Sequence, residues 1–466
     1  MSTTGTTGTE PTSGASGSDP GTGSDQGTSS DPGTGSERGT GSDPGTGSDT
    51  TTGTGTGSRA ATDGTPPVGR PRRLWPRVLA AVLALVLLAA AGLVVGVAWY
   101  FSGLALAVDR GGQPPVSVTA GVDASGRPDG TVVLPDTAGS AVEGLHGVRW
   151  QLGEESGWGV AGEVLSREDG RVVRGWDDRD GTLPDAGATG QVDQDVFLGS
   201  PGTVGLLYED VLLDGELGDL PAHRVPAPAS PTPEQAAAAG TWIVFAHGRG
   251  GQREEANRYL PLWHDLGYEV LVPSYRNDAG TAQDPSGRYG LGVTEWRDLD
   301  AAVAYALDNG AEQVVLAGWS MGGAVQLQLL AESEHAGSVV GLVLDAPVVD
   351  WRAVFEEQGD LAGLPRWLTS LAVRFVELRG GLDLDDVDWT TRADLEEVVD
   401  VPVYLVHSDD DAFVPNGPSR VVAERLGDLV TTRFDGPGDH TREWNVDPED
   451  YDADMRAWFT ETFPAR

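Results

Sequence analysis

The run VLAAVLALVLLAAAGLVVGVAWYFSGLALAV, Val78 to Val108, carries no charge and a single serine, Ser102. No other feature constrains the chain as strongly. About 20 apolar residues suffice to cross the ~30 Å hydrocarbon core of a bilayer as a helix, whose backbone polar groups are satisfied internally. The run predicts one transmembrane helix over 74–108 and divides the chain into three parts. Trp99, Tyr100 and Phe101 suit one membrane interface and Trp75 the other. Arg70, Arg72, Arg73 and Arg77 flank the N-terminal side, while Asp109 and Arg110 nearly cancel at the far end. That asymmetry predicts a single-pass protein of the cell membrane, with its N-terminal tail cytoplasmic and the rest extracellular. A cleaved leader ending at Ala105-Leu106-Ala107 is the competing reading, but the run is too long and starts too far from Met1 for a typical one.

Residues 1–73 are built from Gly, Thr, Ser, Asp and Pro, with hexads such as GSDPGT, GSDQGT and GSERGT. Such a segment cannot bury enough apolar surface to offset its ordering entropy, so a disordered tail is expected. The formal charge of −40 leaves no basic footprint for phosphates, which argues against a nucleic-acid partner. The chain has no cysteine, which removes disulfides, thiolate zinc sites and a cysteine nucleophile.

The third part reads in two styles. From 112 to 225, short β-type runs (TVVLP, VRWQL, GVAGEVL, RVVRGW, VGLLYEDVLL) are punctuated by Gly, Asp and Pro, which predicts a β-rich portion. A Pro/Ala-rich connector, PAPASPTPEQAAAAG, follows. From 226 to 466, strands alternate with helices: TWIVFAHG, EEANRYLPLWHDLG, YEVLVPSY, TEWRDLDAAVAYALDNG, QVVLAG. The series ends with SVVGLVLDAPV, VPVYLVHS, LVTTRF and DPEDYDADMRAWFTETF. That alternation predicts an α/β fold, a mostly parallel doubly wound sheet with helices on both faces. The stretch 351–400 breaks the alternation and reads as a helical cap inserted over the sheet.

Within the alternation lies VVLAGWSMGGAVQLQLL, Val314 to Leu330. It places Ser320 among Gly318, Gly322 and Gly323 where a strand meets a helix, the setting in which G-x-S-x-G exposes a nucleophile. A serine hydroxyl is a weak nucleophile until a base takes its proton and a third group holds the base. On this fold class the acid and then the histidine follow the serine in the chain. Asp409, Asp410 and Asp411 follow the strand VPVYLV, and Asp411 has the best position, just ahead of Pro415. Asp345, at the end of GLVLDAP, is the fallback acid. Only His440 lies beyond Asp411, in the loop GPGDHTREWN. His247 and His407 end strands and read as structural hydrogen-bonders, and His146, His223, His264 and His335 carry no signal. An oxyanion hole needs two backbone N–H groups. Met321 follows the serine, and Arg249 lies in His247-Gly248-Arg249-Gly250-Gly251. The Arg249 side chain, if aimed into the cleft, would select an anionic group.

The series HGRGG, YRND, TEWRD, GWSMGG, VHSDDDAFVP and DHTREWNVDP resembles the α/β-hydrolase superfamily. Within it, the series is similar to actinobacterial membrane-anchored or exported hydrolases of the serine-aminopeptidase-type and Bem46-like branches. The resemblance covers nearly all of the chain beyond the apolar run and is loosest before about residue 200. Ser408 departs from the glycine often found after the histidine of the acid strand. The resemblance implies a cofactor-free hydrolase and assigns Ser320, Asp411 and His440 to its triad; a small-molecule or lipid-like acyl substrate and no metal are expected. An acyltransferase with the same residues, and an inactive membrane-tethered binding module on the same scaffold, are the alternatives. Substrate and oligomeric state are not readable in the sequence.

Overall fold

The computed structural model describes residues 74–108, 115–137, 139–184 and 187–464. The tail expected over 1–73 lies outside the described residues. Helix α1 (Trp75–Leu106) opens with Pro76 in its first turn, where the missing N–H costs nothing. By length and composition it can cross a membrane. Its face is exposed through Leu93, and Ala98, Ser102 and Leu106 are buried.

The next six strands are β1 (Val116–Val122), β2 (Pro128–Pro135), β3 (His146–Leu152), β4 (Glu155–Glu168), β5 (Arg171–Asp180) and β6 (Ala188–Asp193). They close an antiparallel barrel in the order β1-β2-β5-β4-β3-β6. Alternate residues point inward, as the two-residue period of a strand requires. Val118, Val132, Leu134, Val148 and Trp150 fill the interior.

A second sheet follows, in the order β14-β13-β12-β11-β9-β10-β8-β7. Its hairpin β7 (Glu209–Gly215) and β8 (Gly218–Val225) is antiparallel and joins β10. The parallel strands are β9 (Thr241–Ala246), β10 (Glu269–Pro273), β11 (Gln313–Trp319), β12 (Val339–Asp345), β13 (Val403–Val406) and β14 (Val430–Arg433). The boundary expected at residue 225 thus falls inside this sheet. The hairpin has the same short-strand signature as the barrel before it, and only the pairing of β8 with β10 reveals its allegiance. The two β portions also share a core, in which Val160 and Val196 pack with Trp263 and Trp319. Asn445 Nδ2, in the short helix Glu443–Val446 before the last one, donates to the carbonyls of Leu145 and Gln194 at 2.8 Å each and so fixes the barrel to it.

Helices α2 (Leu260–Asp265), α3 (Trp296–Asp308), α4 (Met321–Glu332), α8 (Gly417–Leu426), α9 (Glu443–Val446) and α10 (Pro448–Thr462) complete the layers. The single helix expected in EEANRYLPLWHDLG is instead a 3₁₀ segment, Arg253–Arg258, followed by α2. Pro261 is the reason, because it belongs in a first turn rather than a helix interior. The 351–400 segment forms α5 (Trp351–Leu361), α6 (Arg366–Gly380) and the short α7 (Leu395–Val398). Asp350 caps α5 by accepting from the N–H groups of Arg352 and Ala353. Strand order reverses between β9 and β11, and ligands of open α/β sheets bind in the crevice beyond such a point.

Candidate active site

The loops after β9 and β11 meet at that crevice. β11 is buried to its last residue, Trp319, and α4 begins at Met321, so the chain turns within Ser320. Ser320 adopts φ 52° and ψ −122°, a strained conformation for a residue with a Cβ. Its backbone is over-determined. Its N–H donates to Asp345 O at 3.0 Å, and its carbonyl accepts from Gly323 N–H at 3.0 Å and Val348 N–H at 2.9 Å. The glycines have a specific cause. A Cβ at Gly318 or Gly322 would collide with the carbonyl oxygen of Ala246 on β9, and one at Gly323 would meet Pro347 Cβ at 2.5 Å.

The structure brings Ser320, His440 and Asp411 together. His440 Nε2 lies 2.9 Å from Ser320 Oγ, and His440 Nδ1 lies 2.7 Å from Asp411 Oδ2. The Asp411 carboxylate is nearly fully buried. Burial alone would raise its pKa. Hydrogen bonds from His407 and His440 and the attraction of both rings outweigh that and hold it well below the usual carboxylate range. Its Oδ1 accepts the N–H groups of Phe413 (2.9 Å) and Val414 (2.8 Å). Asp345 is engaged elsewhere, accepting from the hydroxyls of Tyr259 (2.7 Å) and Tyr451 (2.9 Å). Asp409 turns to Asn416 and Arg420 on the surface. Ser408 is buried, and its Oγ donates to Gly436 O at 3.1 Å, tying the acid loop to the histidine loop.

The loop 247–251 is pinned from several sides. Gly248 N–H donates to Glu255 Oε2 (3.2 Å) and Gly250 N–H to the Tyr289 hydroxyl (3.1 Å). The Tyr275 hydroxyl donates to the carbonyl of His247 at 2.8 Å. His247 stacks on Tyr275 at 3.9 Å and pairs with Asp278 at 2.8 Å. Although burial opposes the charged ring, Asp278 and Glu255 lift the His247 pKa to about 9. Glu255 also accepts from Trp319 Nε1, and burial pushes its pKa up to about 7. Met321 opens α4, where the first N–H groups have no intrahelical acceptor. Arg249 lines the cavity, but its guanidinium is engaged by α1. Its Nη2 donates to the carbonyls of Leu104 (3.1 Å) and Ala107 (2.7 Å), at the end of α1, with the guanidinium 5.1 Å from the Tyr289 ring. Carbonyls at a helix C-terminus attract a cation, which explains the choice.

A cavity of about 430 Å³ rises above Ser320 and His440. Of the large apolar residues in the 351–400 segment, Trp351, Phe355 and Leu364 line it, while Leu368 packs on α1 and Trp367 is exposed. Several contributors had no signal in the motifs. They are Glu255 beneath the loop and Phe101, Ser102, Leu104 and Ala105 of α1 in the wall, whereas His407 behind the acid stood in the quoted VHSDDDAFVP and read only as structural. Asp278 was within the quoted YRND, but its partner His247 is far from it in sequence.

A family model described as "Alpha/beta hydrolase family" matches residues 243–461. The domain from β7 onward has the α/β-hydrolase fold, with α5 to α7 as its cap, in agreement with the expected fold class. An esterase of Pyrococcus furiosus is similar at 19% identity and a TM-score of 0.45, over 57% of this chain and 96% of its own. A lidless α/β serine hydrolase from Xanthomonas campestris is similar at 17% identity and a TM-score of 0.39, over 56% of this chain and 96% of its own. A multifunctional-autoprocessing repeats-in-toxin protein of Vibrio vulnificus is 29% identical over 145 residues, 30% of this chain. The match spans only 3% of the toxin's length.

Proposed function

We propose that the chain is a membrane-anchored serine hydrolase that cleaves ester, thioester or amide bonds through an acyl-enzyme. One observation carries the reading. The continuous hydrogen-bonded line Asp411–His440–Ser320 ends on a serine in a strained elbow at the floor of a cavity. In this mechanism Ser320 Oγ attacks the carbonyl carbon while His440 Nε2 takes its proton. Asp411 keeps the Nδ1 proton of His440 in place and stabilises the imidazolium that forms. The N–H groups of Met321 and Arg249 hold the oxyanion, Met321 with the favourable end of the α4 dipole behind it. His440 then protonates the leaving group, and water resolves the ester on Ser320 by the same steps in reverse. Trp319 and Glu255 fix the floor from below. The motif series supports a place near the serine-aminopeptidase-type branch of the superfamily. The apolar α1 and its arginine flank support a single-pass anchor in the cell membrane, with the catalytic domain outside.

Fluorophosphonate labelling tests the reading. The wild-type chain is expected to label at one serine, and Ser320→Ala to lose the label while keeping its thermal melt. Wild-type protein that neither labels nor turns over a small unhindered ester would overturn it.

A further inference from the structure

The end of α1 is part of the cavity, which is unusual work for an anchor. Phe101, Ser102, Leu104 and Ala105 line the cavity together with Val373 and Val376 of α6. α1 and α6 run side by side in the same direction. Trp99 meets Phe375 edge to face at 5.6 Å, Arg379 Nη1 donates to Trp99 O at 2.6 Å and Ser102 Oγ at 2.8 Å, and Gly380 lies beside Leu106. The start of α6 therefore lies alongside Val94, Val97 and Ala98, which pack with Leu364, Leu368 and Leu371.

Length fixes where that places the cap. The 32 residues of α1 span about 48 Å at 1.5 Å per residue, whereas a bilayer takes about 20 residues of helix. From Trp75 to Trp99 the rise is about 36 Å, which sets two aromatic anchors at the two interfaces. Trp99 is 49% and Tyr100 62% exposed, as interface anchors should be. The turn between α5 and α6 lies below that level, on the membrane side. It exposes two large apolar side chains, Leu361 at 62% and Trp367 at 59%, beside a surface ion pair of Asp360 and Arg366 at 3.4 Å that can face the headgroups. The cavity runs from Ser320 to Leu364 at this same turn.

Resting on the serine-hydrolase reading and on α1 as its anchor, we infer that the substrate is an acyl ester of a membrane lipid. It enters sideways from the bilayer past the α5–α6 turn, with its chain held between α1, α5 and α6. The step itself is the acyl transfer above, with a lipid alcohol as leaving group and water as the second reactant.

The test uses the full chain reconstituted in phosphatidylcholine vesicles. A fluorogenic long-chain acyl ester is supplied either in the same vesicles or only in separate, protein-free ones. A water-soluble acetate ester serves as the control substrate. Sharing a bilayer is expected to speed hydrolysis of the long-chain ester at least about tenfold, through effective concentration. The double variant Leu361→Glu, Trp367→Glu, whose residues do not line the cavity, is expected to cut that rate about tenfold by opposing insertion. It is expected to leave acetate hydrolysis unchanged, which also reports intact folding. Equal rates from shared and separate vesicles, or a double variant with full activity on the embedded ester, would overturn the inference while leaving the hydrolase reading intact. A wild-type chain that hydrolyses neither ester would overturn the hydrolase reading itself and this inference with it.

Discussion

At the scale of single residues, two acids competed in the sequence for one histidine, and their surroundings separate them. Asp411 touches His440, whereas Asp345 satisfies two tyrosine hydroxyls. Replacing Asp411 with Asn keeps the volume but takes away the negative charge behind the imidazole. Asp411→Asn is expected to lower kcat by about 10³ to 10⁴ with little change in KM. Asp345→Asn retains an acceptor for Tyr259 and Tyr451 and is expected to alter kcat/KM by less than about fivefold. Steady-state kinetics on a small ester measure both, and a larger loss from Asp345→Asn would exchange their roles. His407 is a quieter participant. Its Nε2 lies 3.2 Å from Asp411 Oδ2 and 3.0 Å from Val414 O, so it braces the acid from behind. The spacing of His407 and Asp411 on one loop gave no hint of that contact, because a four-residue separation brings side chains together predictably only in a helix.

At the scale of elements, the legible parts were those that rest on local pattern. β9, β11 and β12 are short apolar runs, and the elbow between β11 and α4 is a sequence-local device. Ser320 and His440 could be assigned because chain order on such a sheet leaves few choices. The parts that escaped are set by long-range pairing. The β7–β8 hairpin looks like barrel until β8 finds β10, and Arg249 looks available to substrate until α1 presents its carbonyls. The elbow glycines allow a sharper test. Gly322→Ala would drive a methyl group into Ala246 O, a backbone atom held in β9. It is expected to destabilise the fold by about 1–3 kcal/mol and to reduce fluorophosphonate labelling. Gly337→Ala, where nothing lies within 4 Å of the added carbon, is expected to stay within about 0.5 kcal/mol. Chemical denaturation of the two variants decides the matter, and equal midpoints would mean that the elbow yields without cost.

At the scale of the whole molecule, the excess of acid is the dominant electrostatic fact, and part of it is buried. Burial raises Glu443, with Asp345 adding to the effect against the pull of Arg433, to a pKa of about 8. Burial likewise raises Glu255 to about 7, and Asp278 leads the groups that lift His247 to about 9 against burial. All three bind a proton more tightly folded than unfolded, since their ordinary values are 4.5, 4.5 and 6.5. The slope of stability with pH follows protons bound unfolded minus protons bound folded, and here that difference is negative. For each carboxyl the stabilisation is complete below about 4.5 and is lost as pH rises through its folded value. For His247 it is complete below 6.5 and is lost on the way to about 9. Between pH 6.5 and 9 the three act in the same direction. His146, lowered to about 4 chiefly by burial, has the opposite sign but acts only below 6.5. The full chain in detergent is therefore expected to melt at progressively lower temperature as pH is raised from 6.5 to 9. Glu443→Gln, which keeps an acceptor for Arg433 and removes the titration, is expected to flatten that slope. Melts followed by circular dichroism at half-unit pH steps measure both. A Tm that holds level or climbs across the window would mean that these groups ionise in the folded state as freely as in water, and that the buried acids are solvated by motions opening the core around Glu443.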